Sequence, residues 1–195
     1  MSTSTASLKR QLRNQLREQR RSLSPRAQNA AGNALRDRLL HNSHFLLSQN
    51  IACYFPGDGE IDTRPLIAAS LDAGKRLYLP VISGGEMQFH AYHSGTRLIQ
   101  NSYGLWQPPA SEKSLEALDL DLVIVPLVGF DRSGGRLGMG GGYYDRAFQH
   151  ASTRGDRPWL VGVAHSVQEL EQVPLEQWDR KLHAIATDRE YISVV

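Results

Sequence analysis

The chain has 195 residues, of which 41% are apolar and 22% charged, and carries a net charge of +2. That length fits one compact domain, the composition excludes a disordered chain, and no run approaches the roughly 18 apolar residues of a membrane-spanning helix. Cys53 is the single cysteine, which excludes an internal disulfide framework and a cysteine-cluster metal site and points to a reducing cytoplasm.

The first 21 residues read as a basic helix. Leu8, Leu12 and Leu16 recur at i, i+4 and i+8, and Lys9, Arg13 and Arg17 form the adjacent stripe. Residues 1–40 hold nine basic and two acidic side chains, a net +7 against −5 on the other 155 residues. A basic arm on an acidic body implies an anionic partner: nucleic acid, a membrane surface, a targeting receptor or a phosphate-bearing ligand. Arg17, Arg20 and Arg21 read as a solvated face.

Ser24-Pro25 is a helix start, an N-cap followed by proline at the first helical position. The second helix presents Ala27, Ala31, Ala34, Leu35 and Leu39, and stops near Asn50. Residues 51–55 form the first strand, with Cys53 as a buried, inert thiol, and turn at Pro56-Gly-Asp-Gly59. Residues 65–73 are helical, Gly74 is the C-cap, and residues 77–82 are the next strand. Residues 87–92 alternate as a hairpin strand, and residues 102–113, rich in Pro, Gly and aromatics, are a loop. The run at residues 122–128 is a central strand buried on both faces, in which Pro126 should interrupt the ladder. Residues 143–149 start a helix, and residues 159–164 and 184–187 are strands. Alternating strands and helices define the fold class as α/β. The expectation is a single domain over residues 1–195, a three-layer α/β/α sandwich with a mostly parallel, Rossmann-like sheet and an N-terminal basic helix.

Chemistry concentrates at Asp131-Arg-Ser-Gly-Gly-Arg-Leu-Gly-Met-Gly-Gly-Gly-Tyr-Tyr-Asp145. Six of the nine residues from Gly134 to Gly142 are glycine, directly between the most apolar strand and a helix start. Glycine lets backbone N–H groups approach a ligand, and a helix N-terminus favours phosphate. Arg136 can add a charge-assisted bond to a phosphate oxygen, Tyr143 and Tyr144 can cover a ring, and Asp145 can hold a cation bridging phosphates. The stretch lacks Gly-Lys-Ser/Thr and so is not the usual P-loop, and Tyr143 breaks a Gly-x-Gly-x-x-Gly pattern.

The segment Gly-Arg-Leu-Gly-Met-Gly-Gly-Gly-Tyr-Tyr-Asp-Arg, from Gly135 to Arg146, follows Asp121-Leu-Val-Ile-Val-Pro and Gly129-Phe-Asp. In that setting it strongly resembles the 5-formyltetrahydrofolate cyclo-ligase (methenyltetrahydrofolate synthetase) family. The resemblance covers nearly the whole chain. It extends to Lys9-Arg-Gln-Leu-Arg13, Gly59-Glu-Ile-Asp-Thr63, Lys75-Arg-Leu-Tyr-Leu-Pro80, Gln168, Val173-Pro174 and Trp178-Asp179. It implies ATP- and Mg²⁺-dependent conversion of 5-formyltetrahydrofolate to 5,10-methenyltetrahydrofolate, with release of ADP and phosphate through a phosphorylated formyl intermediate.

The resemblance also implies residue roles. ATP contacts fall on Lys9, Arg10, Gln11, Leu12 and Arg13 and on residues Arg136, Leu137, Gly138, Met139, Gly140, Gly141, Gly142, Tyr143 and Tyr144. Lys9, Arg136 and Tyr144 take the catalytic roles. Folate contacts fall on Phe55, Glu60 and Tyr103 and on the same glycine loop, Met139 to Tyr143; Trp106 is the alternative to Tyr103 as the stacking ring. Asp145 and Asp179 are the magnesium-linked acids. Where some members carry basic residues in the loop, this chain has Met139 and Gly141, which leaves backbone contacts there. An Arg-rich N-terminus also suits a transit peptide, but the matching motif begins at Lys9, inside it. The histidines, including His90, His93 and His165, carry no metal pattern. RNA binding by the basic arm lacks an aromatic-interleaved motif, and intact Lys9, Arg136, Tyr144 and Asp145 oppose a regulator without activity. The expected partners are the two small molecules alone, with no nucleic acid and no membrane, in a monomer.

Overall fold

The structure, a computed structural model, describes residues 5–101, 104–110, 112–149, 158–176 and 179–194. Helix α1 spans Thr5–Arg21, α2 Pro25–Leu40, α3 Ser43–Leu47, α4 Arg64–Asp72 and α5 Tyr143–Ala147. Strands β1 (Asn50–Ala52), β2 (Arg76–Ser83), β3 (Glu86–Tyr92), β7 (Leu122–Pro126), β10 (Trp159–Val163) and β11 (Ala184–Ala186) carry most of the central sheet. Short strands β4 (Ile99–Gln100), β5 (Trp106–Gln107), β6 (Ser114–Leu115), β8 (Gly129–Phe130), β9 (Arg136–Leu137) and β12 (Tyr191–Ser193) complete the set among the described residues.

The sheet order is β12-β11-β10-β7-β1-β2-β3-β6. Strands β2, β1, β7, β10 and β11 run parallel, and β3, β6 and β12 add antiparallel edges. Numbered along the chain, the five parallel strands stand in the order 2-1-3-4-5, which reverses between β1 and β7. Ligands of such sheets bind beyond the strand carboxyl ends at that reversal.

Alternate residues of these strands face two cores. On one face Ile51, Leu77, Leu122 and Val161 meet Leu35, Leu39, Phe45 and Leu66 of α2, α3 and α4. On the other, Ala52, Val123, Val125 and Ile185 meet Phe89, Phe130 and Phe148. Among the described residues the helical cover of this second face is α5, of five residues, with Phe130 of β8 and residues Ala117 and Leu118 packed beside it. Helix α1 lies at the carboxyl rim, where Leu16 packs with Val128, Leu137 and Val173.

Several local expectations need correction. The second helix ends at Leu40, and a separate turn, α3, begins with Asn42 accepting from the His44 amide. Pro126 does not break the ladder; it closes β7, still in register with Val163 of β10, while pairing with the three-residue β1 stops at Val123. The segment at residues 102–113 is not all loop, because β5, inside it, pairs antiparallel with β4 just before it. The Ser24 hydroxyl does cap α2, accepting from the Ala27 amide at 3.2 Å. Among the described residues no helix is long and apolar enough to cross a membrane.

Candidate functional site

A cleft of about 1030 Å³ opens at the sheet reversal, above the ends of β1, β2 and β7. Single small-molecule sites run to about 300–1,000 Å³, so this one has room for a large ligand or for two. Its walls come from segments far apart in sequence: α1, the turn after β1, the β4–β5 hairpin, the glycine loop and the chain around Glu176 and Asp179.

The glycine loop is built on Asp131. Its Oδ1 accepts from the amides of Ser133 (2.9 Å) and Gly135 (3.0 Å) and from the Ser133 hydroxyl (2.7 Å), and its Oδ2 accepts from the Val173 amide (2.8 Å). Burial acts to raise this carboxyl, and the donors at Val173, Ser133 and Gly135 outweigh it, so it lies below its ordinary range. A Cβ on residue 135 would stand 2.4 Å from Asp131 Oδ2, so Gly135 serves this close approach rather than a ligand. Gly142 adopts φ of +65° as the N-cap of α5, a conformation glycine takes without strain. Since α5 has only five residues, the backbone amides of the loop matter here more than a helix dipole.

Two ion-pair sets face the cleft. Arg136, 7% exposed, donates from Nη2 to Asp145 Oδ1 at 2.5 Å, and the Arg180 amide donates to the same oxygen at 3.2 Å. Arg136 Nη1 is buried and meets no acceptor among the described residues. Lys9, 8% exposed, donates to Asp179 Oδ2 (2.9 Å) and Glu176 Oε2 (3.0 Å). Burial acts to lower the Lys9 ammonium, and the bonds to Asp179 and Glu176 outweigh it, leaving it above the ordinary lysine value. Because Arg180 follows Asp179, its bond to Asp145 draws the two pairs together. Arg13 Nε donates to the Gly138 carbonyl at 2.8 Å, which fastens α1 to the glycine loop.

Glu60 stands at another wall. Its side chain is 14% exposed, Oε2 accepts from the Gly57 amide at 3.1 Å, and Oε1 lies 3.9 Å from Arg20 Nη2. Burial raises its carboxyl, with the Arg20 charge and the Gly57 amide acting the other way. Burial likewise raises the Tyr144 phenol, helped by the Glu60 charge, so it stays protonated at neutral pH. Cys53 is buried and pushed up to about 12 by desolvation, as expected of an inert thiol.

The structure brings most of the sequence-derived positions to this cleft: Lys9, Arg10, Arg13, Phe55, Glu60, the whole segment from Arg136 to Asp145, and Asp179. Gln11 is exposed and does not line it, and Leu12 packs toward Leu16 and Leu137. Trp106 stands at the rim, 46% exposed. Tyr103 and Trp178 lie outside the described residues. One reading is overturned. Arg20 is not on a solvated face; it is fully buried, and Arg17, Arg20 and Arg21 all bond Asp58. The signal was present, since Arg20 continues the Leu8–Leu12–Leu16 row at i+4. Glu176 and Arg146 were also missed. Arg146 donates to the Gly141 carbonyl (2.8 Å) and packs over the Tyr143 ring at 4.9 Å, the second contact following from their i, i+3 spacing on α5.

An α/β fold with a largely apolar cleft at its topological reversal, into which paired cations and acids project, is the architecture of a small-molecule enzyme. A sequence model of the 5-formyltetrahydrofolate cyclo-ligase family matches residues 5–188. The chain is 39% identical over 176 residues to the 5-formyltetrahydrofolate cyclo-ligase of Escherichia coli (strain K12), a match covering 88% of this chain and 96% of that one. It is 36% identical over 181 residues to the Haemophilus influenzae cyclo-ligase, covering 91% and 96%. The NMR structure of Aquifex aeolicus 5,10-methenyltetrahydrofolate synthetase superposes with a TM-score of 0.84 at 31% identity, covering 96% of this chain and 93% of that one. This chain belongs to the 5-formyltetrahydrofolate cyclo-ligase family and is a ligase.

Proposed function

We propose that the chain, acting as one domain and as a cytoplasmic monomer, uses ATP and Mg²⁺ to cyclise 5-formyltetrahydrofolate to 5,10-methenyltetrahydrofolate. The formyl oxygen attacks the γ-phosphorus and ADP leaves. The neighbouring folate N–H nitrogen then attacks the activated formyl carbon and closes the ring, the formyl oxygen departs with phosphate, and the nitrogen's proton leaves to the released phosphate or to water. An amide oxygen is a poor leaving group, and phosphorylation removes that obstacle. Alignment of two ligands and neutralisation of phosphate charge are the main tasks left to the protein.

The observation that carries this reading is the shared cleft, in which Lys9 and Arg136 sit beside the two acids while Glu60 occupies another wall. Lys9, Arg13 and Arg136 bind phosphate oxygens, with Arg10 and the loop amides from Gly138 to Tyr144 around them. The unpartnered Arg136 Nη1 supports this, since a buried guanidinium N–H seeks an acceptor. Tyr144, kept protonated, donates a hydrogen bond to the reacting oxygens. Phe55 and Trp106 or Tyr103 flank the pterin, and Glu60 accepts from its N–H and amino donors.

Asp145 and Asp179 suit Mg²⁺, which takes one or two carboxylates and completes its shell with phosphate and water oxygens. When bound, that ion would offset the charge developing on the phosphates. Among the described residues no three His, Cys, Asp or Glu side chains gather as a metal cage, so ligand oxygens would complete the shell. Purified protein incubated with 5-formyltetrahydrofolate, ATP and Mg²⁺ should develop methenyl absorbance in step with ADP release. No absorbance change with all three present would sink the reading.

A further inference from the structure

We infer that Arg20 is a positioning residue for the folate side of the cleft: it ties the turn that carries Glu60 to the helix that carries Lys9 and Arg13. This rests on the assignment of Glu60 to the folate ligand.

Arg20 is 0% exposed. A buried guanidinium is costly unless nearly all its N–H groups are met. Here Nε donates to the Asp58 carbonyl at 2.9 Å, Nη2 to Asp58 Oδ2 at 2.8 Å, and Nη1 to the Leu127 carbonyl at 3.2 Å. One side chain thus holds three pieces of backbone together: α1, the turn after β1, and the chain leaving β7.

The turn is shaped to receive it. Asp58 has φ of +52°, in the left-handed region, and Gly59 follows at +73°. The Gln28 amide spans the joint, donating to the carbonyls of Arg20 (3.0 Å) and Gly59 (3.2 Å). Arg17 and Arg21 also bond the Asp58 carboxylate. Residues 17, 20 and 21 lie on one helix face by their i, i+3 and i+4 spacing. Three cations therefore surround one aspartate, and of these Arg20 also approaches Glu60, whose Oε1 is 3.9 Å from Arg20 Nη2. That distance exceeds a hydrogen bond, so Arg20 biases and orients the carboxylate without consuming its acceptor.

The test uses Arg20→Lys, Asp58→Asn and Glu60→Gln in the full chain, with 5-formyltetrahydrofolate and ATP titrated separately. Asn tolerates the left-handed conformation of residue 58, so Asp58→Asn probes the clamp even if Arg20→Lys fails to fold. Both clamp variants should lose folate affinity by about tenfold or more, as small misplacements of a binding group do. ATP affinity should hold within about twofold, because Leu16 still seats α1 against Val128, Leu137 and Val173, and kcat at saturating folate should fall less than kcat/KM. Equal weakening of both ligands would make Arg20 a general brace and overturn the inference. So would parental folate affinity in folded clamp variants while Glu60→Gln loses it. Parental folate affinity in Glu60→Gln would remove the Glu60 assignment and the inference with it.

Discussion

At the scale of single residues, the cleft stores its positive charge by pairing it. Lys9 rests on Asp179 and Glu176, and Arg136 on Asp145. A phosphate entering finds Arg136 Nη1 open but must compete with these acids for the other donors, which suits a ligand arriving with its own cation for the acids. Lys9→Gln keeps most of the stem and drops the charge. Losing a charged hydrogen bond costs about 1.5–3 kcal/mol, so the apparent ATP constant should rise about tenfold or more. An unchanged constant at low and moderate salt would leave Lys9 with a purely structural role beside Glu176. For Asp145→Asn, turnover at limiting Mg²⁺ should collapse while the protein stays folded; near-normal activity there would remove Asp145 from the metal site. The shared place of Lys9, Glu60 and Asp145 in one cleft was foreseen through the resemblance of their motifs. Arg20 was misread because its charge suggested solvent, while its place on the leucine row foretold burial; the partner that makes burial tolerable, Asp58, lies 38 positions away.

At the scale of elements, Asp131 organises the β8–β9 hairpin and fastens it to Val173. In Asp131→Asn the remaining oxygen can still accept from Ser133 and Gly135, but the new amide sets a donor against the Val173 N–H. The expected loss at pH 7 is about 1–3 kcal/mol, the cost of an unsatisfied buried donor, read by urea unfolding. The pH dependence follows from the carboxyl lying below its ordinary value in the folded state. Its contribution is complete above the unfolded value of about 3.9 and fades as pH falls through the lower folded one. The gap between parent and variant should therefore close in acid, and a gap constant from pH 7 to pH 3 would contradict this account. Legibility at this scale tracked apolar character more than length. Apolar runs announced β2, β7 and β10 and also the three-residue β1 and β11, and Ser24-Pro25 announced α2. The short strands β8, β9 and β12 have no such run, and their pairing is fixed by partners elsewhere.

At the scale of the whole molecule, stability and ligand binding separate in space. The core formed with α2, α3 and α4 supports the sheet from the face away from α5, whereas α1 docks at the rim through Leu16, 2% exposed against Val128, Leu137 and Val173. Because α1 also carries Lys9 and Arg13, its docking is coupled directly to the cleft, whereas α2 reaches the cleft's turn through Gln28, two helical turns before Leu35. Leu16→Ala and Leu35→Ala each remove a buried leucine and should each cost about 2–5 kcal/mol of unfolding free energy. Only Leu16→Ala should also weaken ATP, because a loosened helix holds its cations in the binding geometry for a smaller fraction of the time, and affinity falls by that fraction. Leu35→Ala, 0% exposed in the parent and set in the opposite core, should bind ATP as the parent does at any temperature where it is folded. Calorimetric titration of both variants well below their unfolding midpoints decides the matter. Equal loss of ATP affinity in the two would mean that the cleft reports global stability rather than the seating of α1.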